Sequence, residues 1–488
     1  MAELQLASPQ GRRVVAAAIL ASGVVFLDSS VVNAALSAMA DSLHADRAGQ
    51  QWVVTGYLLS LGSLIVIGGA VGDRFGRRRM FLIGLLAFSI TSALCGAAPT
   101  IEVLVIARVL QGAAGALLTP ASLAAISASF RAEDRAAAIG RWIGLTGVAS
   151  AIGPFLGGWL IDVVSWRLVF FINVPLAVAA GGLAIRSMPE SRDDQAPSRL
   201  DVAGGLVLAA GLAGLVYGLI GERWEYVLGG VVVLGLFAVI EQRVEAPMVP
   251  FGIFRNRVFS AGNAVTFVVW GALGSSLFFV VLHLQQDLHY SAVASGASML
   301  PLTVIVMLAS SRLGAMAERI GARWFVSAGP VVIAVAFLQL AQVGPGDRYV
   351  TSVLPAAVVL GCGIALTAAP VTTMVVTSVD RGRSGLASAV NNAVARIATL
   401  LAVALLPVVA HVATGADGRL DLLHGYRRVM LIVAAVAATG GVLAAASLRS
   451  DARPPAGRED DSPSALPSTE PIPNPSPVAS IRRRDLET

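Results

Sequence analysis

Gly69-Ala70-Val71-Gly72-Asp73-Arg74-Phe75-Gly76-Arg77-Arg78-Arg79 lies between two long apolar runs. Four arginines fall within the six residues from Arg74 to Arg79. Each would cost about 2.5–3.5 kcal/mol at the centre of a bilayer, so the stretch belongs in water or among headgroups. It reads as a tight loop joining two membrane helices. About 245 residues further on the pattern returns as Gly314-Ala315-Met316-Ala317-Glu318-Arg319-Ile320-Gly321-Ala322-Arg323, again between apolar runs. Glycine, an acid four residues later, arginine, glycine and arginine recur in register. The period is too long for a solenoid and implies two halves built on one plan. Any single short loop collects Gly and Arg, but two at matched positions argue for the repeat.

The composition excludes a water-soluble globule. Of 488 residues 56% are hydrophobic and 13% charged, and the mean hydropathy is +0.76, the profile of a polytopic membrane protein. The chain has no lysine, so the net +5 rests on arginine. Loops on the cytoplasmic side explain that balance better than a nucleic-acid surface does. Cys95 and Cys362 stand alone in separate apolar runs without metal or redox spacing and read as small core residues. Arg12 and Arg13 precede an apolar run that resembles a signal peptide, but the run is long and lacks a clear cleavage signal. It reads as a retained first span.

At about 20 apolar residues per span the chain divides into fourteen helices. The first half takes 14–36, 51–71, 80–98, 103–127, 138–161 and 168–186. A middle pair takes 201–220 and 225–241, and the second half takes 259–283, 293–313, 324–343, 351–377, 386–411 and 429–448. The expected organisation is a terminus over 1–13, a six-helix half over 14–187, a two-helix insertion over 188–245, a second six-helix half over 246–449 and a tail over 450–488. The tail is rich in Pro, Ser, Asp and Arg, cannot bury a core, and is expected to be disordered. Arginine-rich loops alternate along the chain and fall on the side of the N-terminus, with the last opposite loop, Arg419 with Arg427 and Arg428, as the exception; the pattern places both termini in the cytoplasm of a multi-pass protein of the inner (plasma) membrane.

Ionisable residues inside the spans are few: Asp28 in span 1, Arg108 in span 4 and Arg396 in span 13. Groups of this kind must face a water-filled cavity or each other, which makes them candidates for function, with a structural salt bridge as the alternative. A desolvated carboxylate beside a cation changes protonation when its surroundings change, as proton coupling requires. Arg108 is the expected partner of Asp28, and Gln111 lies one turn further along the same face. Asn33, Asn391 and Asn392 need hydrogen-bond partners in lipid, whether as cavity lining or as glue between helices. In span 5, Gly153-Pro154-Phe155-Leu156-Gly157-Gly158 combines a helix-bending proline with small residues that admit close contact, suiting a pivot or seal, or plain packing. His283 and Asp287, one turn apart at the end of span 9, make either a pH-sensitive gate or an ordinary interfacial pair. No metal-ligand cluster, nucleophile with a base, or phosphate-binding loop is visible, so neither an enzyme nor a pump driven directly by ATP is expected.

Together these residues resemble the fourteen-span drug:proton antiporter group of the major facilitator superfamily, over roughly residues 14–448. Gly69 to Arg78 is similar to the family's loop signature after span 2, and Arg108-Val109-Leu110-Gln111-Gly112 to its span 4 signature. Gly153 to Gly158 resembles the span 5 antiporter signature, Leu27-Asp28-Ser29-Ser30-Val31-Val32-Asn33 the span 1 element, and Ser384-Gly385 with Asn391, Asn392 and Arg396 the span 13 element. The departures are small: Ala114 and Ala149 stand where glycines are usual, and Ile397-Ala398-Thr399 follows Arg396 where glycines often do. Spans 2, 10 and 13 lack the central acid that exporters of cationic dyes can carry, which argues against dicationic substrates.

The resemblance implies a major facilitator fold, two six-helix halves plus two central helices, rocking about a midplane cavity. It implies export of a small amphipathic solute by a monomeric carrier energised by the proton gradient without a bound cofactor. Asp28 and Arg108 would couple protons. Asn33, Gln111, Asn391, Asn392 and Arg396 would line the cavity. Gly69, Asp73, Arg74, Gly76, Arg77, Arg78, Glu318 and Arg319 would form a conformational latch on the cytoplasmic side. Gly153, Pro154, Gly157 and Gly158 would be the pivot. The competing expectations are a dedicated exporter or proton-coupled importer of one metabolite or lipid precursor, and a non-transporting sensor or scaffold.

Overall fold

Apolar stretches of this length satisfy their backbone in lipid as helices. The computed structural model describes residues 4–192, 201–244, 247–379, 384–411 and 422–448, so the expected tail lies outside the described residues. The first half holds α1 (Pro9–Leu43), α2 (Arg47–Phe75), α3 (Arg77–Ala97), α4 (Ile101–Ser129), α5 (Ala132–Val163), α6 (Leu168–Phe171) and α7 (Asn173–Ser187). The middle pair is α8 (Val202–Ile220) and α9 (Trp224–Glu241). The second half holds α10 (Arg257–Gln286), α11 (Ala292–Ser298), α12 (Leu300–Ile320), α13 (Ala322–Leu340), α14 (Val353–Thr377), α15 (Ser384–Val409) and α16 (Leu422–Ser447).

Among the described residues thirteen helices are long and apolar enough to cross a membrane. The 32-residue α5 stands where the fifth span is expected. Two spans are broken. The sixth divides at Ile172 into α6 and α7, and the tenth at Met299 into α11 and α12, where Pro301 opens α12. Helix starts carry the side chains that orphan N–H groups need: Ser8, Asp46, Thr100, Asp201, Asn256 and Ser291 all accept from the first turn.

The repeat is visible in the backbone. Gly76 between α2 and α3 has φ 109° and ψ 126°, and Gly321 between α12 and α13 has φ 105° and ψ 129°. Both turns use a conformation that L side chains rarely adopt, so the same glycine recurs at the same joint. The middle pair belongs to neither repeat: α8 packs on α2 of the first half and on α15 of the second. Cys95 is buried as expected, whereas Cys362 is exposed. A small apolar side chain suits a lipid-facing surface as well as a core, so its run could not distinguish the two.

Candidate functional site

Asp28 lies midway along α1, with its side chain 0% exposed and that of its partner Arg108 2% exposed. Nη1 of Arg108 donates to Oδ2 of Asp28 at 2.5 Å and to Oε1 of Gln111 at 2.8 Å. Its Nε donates to the carbonyl of Val53 at 3.1 Å. The guanidinium lies over the ring of Tyr57, 4.1 Å from the centroid, with Phe170 at 5.8 Å. The other carboxylate oxygen, Oδ1, accepts from Nε2 of Gln111 at 3.0 Å and Nδ2 of Asn173 at 3.1 Å. Asn173 also donates to Ser92 at 3.0 Å, and Ser92 to the Phe170 carbonyl at 2.8 Å.

The local sequence explains the assembly. Arg108 and Gln111 are three apart and share a face of α4. The break at Ile172 starts α7 at Asn173. Thus α1, α3, α4 and α7 each bring polar groups to one buried point. A buried ion pair of this kind is weak evidence for stability, but removing one partner costs about 3–5 kcal/mol. A proton reaching Asp28 would release Arg108 from its counter-ion and change the packing of four helices at once.

Asn173, Ser92 and Tyr57 were not singled out by sequence. The available signal was a lone asparagine in an apolar run, Phe171-Ile172-Asn173-Val174. Gln111 and Asn391, expected to line the cavity, are 0% and 7% exposed and lie in closed networks. Asn391 donates to Asn263 at 3.2 Å and Thr266 at 2.9 Å, joining α15 to α10. An amide whose donors are satisfied inside the bundle has little reason to face water. Asn33 and Arg396 are half-buried and Asn392 is exposed.

The span 5 motif lies against neighbouring helices. A Cβ on Gly153 would overlap Ser30, one on Gly157 would come within 2.7 Å of Val31, and one on Gly158 would overlap the Ala292 carbonyl of α11. The first two contacts press α5 onto α1, and the third onto the other half. The side chain of Pro154 lies outside the described ones. One turn beyond Gly158, the Asp162 carboxylate accepts from the backbone N–H groups of Ala292 at 3.3 Å and Val293 at 3.0 Å. Gln285 donates to the Ala34 carbonyl at 3.0 Å, and Gln51 to that of Val403 at 3.1 Å. These contacts bind the halves together at the end opposite the Arg74–Arg79 loop. At that end too, His283 meets Asp287 at 2.6 Å and stacks on Tyr426, 3.8 Å between centroids. Those three residues belong to the second half and do not cross the seam.

The residues expected to form a latch in the first copy make their described contacts within their own half. Asp73 accepts from Nε of Arg77 at 2.8 Å. Arg77 N donates to the Ser191 carbonyl at 2.9 Å. Glu190 accepts from the backbone N–H groups of Arg78 and Arg79 at 3.1 Å each, and so caps α3 from the segment after α7. Gly69 lies 3.5 Å from Pro120, measured from an added Cβ, and Arg74 lies over Phe75 at 5.3 Å. In the second copy Arg319 is exposed, and the side chain of Glu318 lies outside the described ones.

Two like halves of membrane helices meeting at a seam, with a buried ion pair in one of them, are the architecture of a membrane transporter. The chain belongs to the Major Facilitator Superfamily, whose family model matches residues 18–403 and 313–485. It is similar to the tetracenomycin C resistance and export protein of Streptomyces glaucescens, at 32% identity over 79% of this chain and 73% of that one. It is also similar to a puromycin resistance protein of Streptomyces alboniger, at 34% identity over 80% of each chain. In fold it is similar to a crystal structure of a peptide transporter in complex with sulfate, with a TM-score of 0.69 at 12% identity, covering 91% of this chain and 96% of that one.

Proposed function

We propose that this chain exports small amphipathic compounds, antibiotics among them, in exchange for protons. The observation that carries this reading is the sealed Asp28–Arg108 pair, a titratable acid tied to four helices in a protein whose relatives are named for antibiotic resistance and export. Arginine-rich loops on one side orient the chain in the plasma membrane with both termini cytoplasmic. The seam at Asp162, Gly158 and Gln285 is then on the outer side, and the described state is sealed there. In that state Asp28 is paired with Arg108. Proton binding from the outside breaks the pair, and release to the inside restores it, with the glycines of α5 as the surface on which the halves part. The proton gradient supplies the energy, and one chain holds the whole site.

The test is uptake of a panel of amphipathic dyes and drugs into inverted membrane vesicles under an imposed proton gradient. Gradient-dependent uptake by the wild type, lost in Asp28→Asn at equal membrane insertion, is expected. Undiminished gradient-driven uptake by the variant removes Asp28 from the mechanism. Failure of every panel compound, with correct insertion, points instead to a dedicated exporter of one metabolite or lipid precursor.

A further inference from the structure

Charges in the middle of the bundle do not balance. Asp28 is committed to Arg108, with Gln111 and Asn173 completing its shell. Arg396, near the middle of α15, makes no hydrogen bond or ion pair among the described residues; its guanidinium stands 5.5 Å from the ring centroid of Phe26 on α1. Its Cβ would lie 3.2 Å from a Cβ placed on Gly62 of α2, so it is at the junction of the halves and far from headgroups.

Arg396 nevertheless lies on an accessible face. Ser388, Asn392, Arg396 and Thr399 recur at helical spacing on α15 as half-buried or exposed positions. Phe26, Ser29, Ser30 and Asn33 do the same on α1. The two faces meet where Arg396 reaches Phe26. Away from helix ends, Asp28 is the sole carboxylate among the described side chains of the spans. A cationic cargo would therefore find no free acid here, only an unpaired guanidinium.

We infer that Arg396 anchors an anionic group on the cargo, so that the preferred substrates are amphipathic aromatic anions carrying a carboxylate or sulfonate. The inference rests on the transport reading above and adds the substrate class to it. The guanidinium fork matches a planar or multi-oxygen anion, and the adjoining Phe26 ring offers an aromatic scaffold an apolar face. An anion leaving a cell with a negative interior moves with the membrane potential, so potential as well as pH difference drives its export. Because an anion on Arg396 and a proton on Asp28 attract one another, exchange between them is enforced by conformation rather than by charge competition.

The experiment uses the full chain in lipid nanodiscs, with empty nanodiscs subtracted, and fluorescence titration of two probes. These are 1-anilinonaphthalene-8-sulfonate and N-phenyl-1-naphthylamine, one ring system with and without the sulfonate; ethidium serves as the cation. The wild type is expected to bind the sulfonate at least about tenfold more tightly than the neutral parent, the worth of one charge-assisted hydrogen bond. Arg396→Gln is expected to abolish that ratio, and Arg396→Lys, which keeps the charge and loses the fork, to retain part of it. Equal wild-type affinities, tighter binding of ethidium, or a ratio preserved in Arg396→Gln overturns the anchor. Should Arg396→Gln fail to insert, the wild-type ratio and Arg396→Lys still decide. Vesicle flux is scored separately: binding preference without gradient-driven flux overturns the transport reading alone, and flux without anion preference overturns the anchor alone.

Discussion

Replacing Asp28 by asparagine keeps the shape of the side chain and removes the charge that Arg108 faces at 2.5 Å. The remaining guanidinium is buried against Tyr57 and Val53 without a counter-ion, a loss of about 3–5 kcal/mol. Loss of transport in the single variant therefore mixes two effects. The double variant Asp28→Asn/Arg108→Gln separates them, because it removes both charges and leaves two amides that hydrogen-bond. It is expected to regain most of the thermal stability lost in the single variant, by thermal unfolding in detergent, and to recover no gradient-driven uptake. Recovery of uptake would make the pair a structural bridge. The Asp28, Arg108 and Gln111 constellation was legible in the sequence because charges in apolar runs are rare and i, i+3 spacing fixes a shared face. Asn173 was not, since its position at the pair depends on a helix break that only the packing of α7 on α1 and α3 reveals.

Helix joints explain what the repeated loop does and where its two copies differ. A Cβ at Gly76 must adopt an unfavourable backbone angle and also come within 2.7 Å of the Glu190 carboxylate, whereas one at Gly321 meets nothing within 4 Å. Gly76→Ala and Gly321→Ala share the conformational penalty, about 1–3 kcal/mol, and only the first disturbs the Glu190 cap. Gly76→Ala is expected to be the more destabilised, and Gly76→Ala/Glu190→Ala to converge on Gly321→Ala. Equal melting temperatures for the two single variants would mean that Glu190 moves aside without cost. The sequence showed the turn and its repeat because φ above zero demands glycine. It hid Glu190, more than 100 residues away, because a cap from a distant segment leaves no local pattern.

Asp162, at the end of α5, also acts between helices. It is an exposed residue whose carboxylate caps α11 across the seam, so its contribution is screened and falls near 0.3–1 kcal/mol. That is enough to shift a balanced conformational equilibrium a few-fold and too little to unfold the protein. Asp162→Ala is expected to raise the labelling rate of a cysteine at Ala34, buried beneath the Gln285 contact, by a membrane-impermeant maleimide in a Cys362→Ser background, with melting temperature unchanged. An unchanged labelling rate would show that the glycine contacts of α5 hold the seam without the carboxylate.

Across the whole molecule, alternating access requires the seam to open while each half keeps its internal contacts. The structure supplies a cross-half pair and a within-half pair for comparison: Asp162 meets Val293 between the halves, and Asn256 donates to the Ser378 carbonyl inside the second half at 2.6 Å. Cysteines at 162 and 293, joined by a short bis-thiosulfonate linker, are expected to stop vesicle uptake until reductant is added. Cysteines at 256 and 378, joined in the same way, are expected to leave uptake within about twofold of the unlinked protein, because rigid-body motion preserves distances inside a half. Arrest by both links would mean that the second half deforms internally during the cycle, and arrest by neither would place the moving surface elsewhere than the seam at α5 and α11. Since α8 packs on α2 and on α15, it must slide on one of them when the halves part, and linking it to each in turn identifies the half with which it travels.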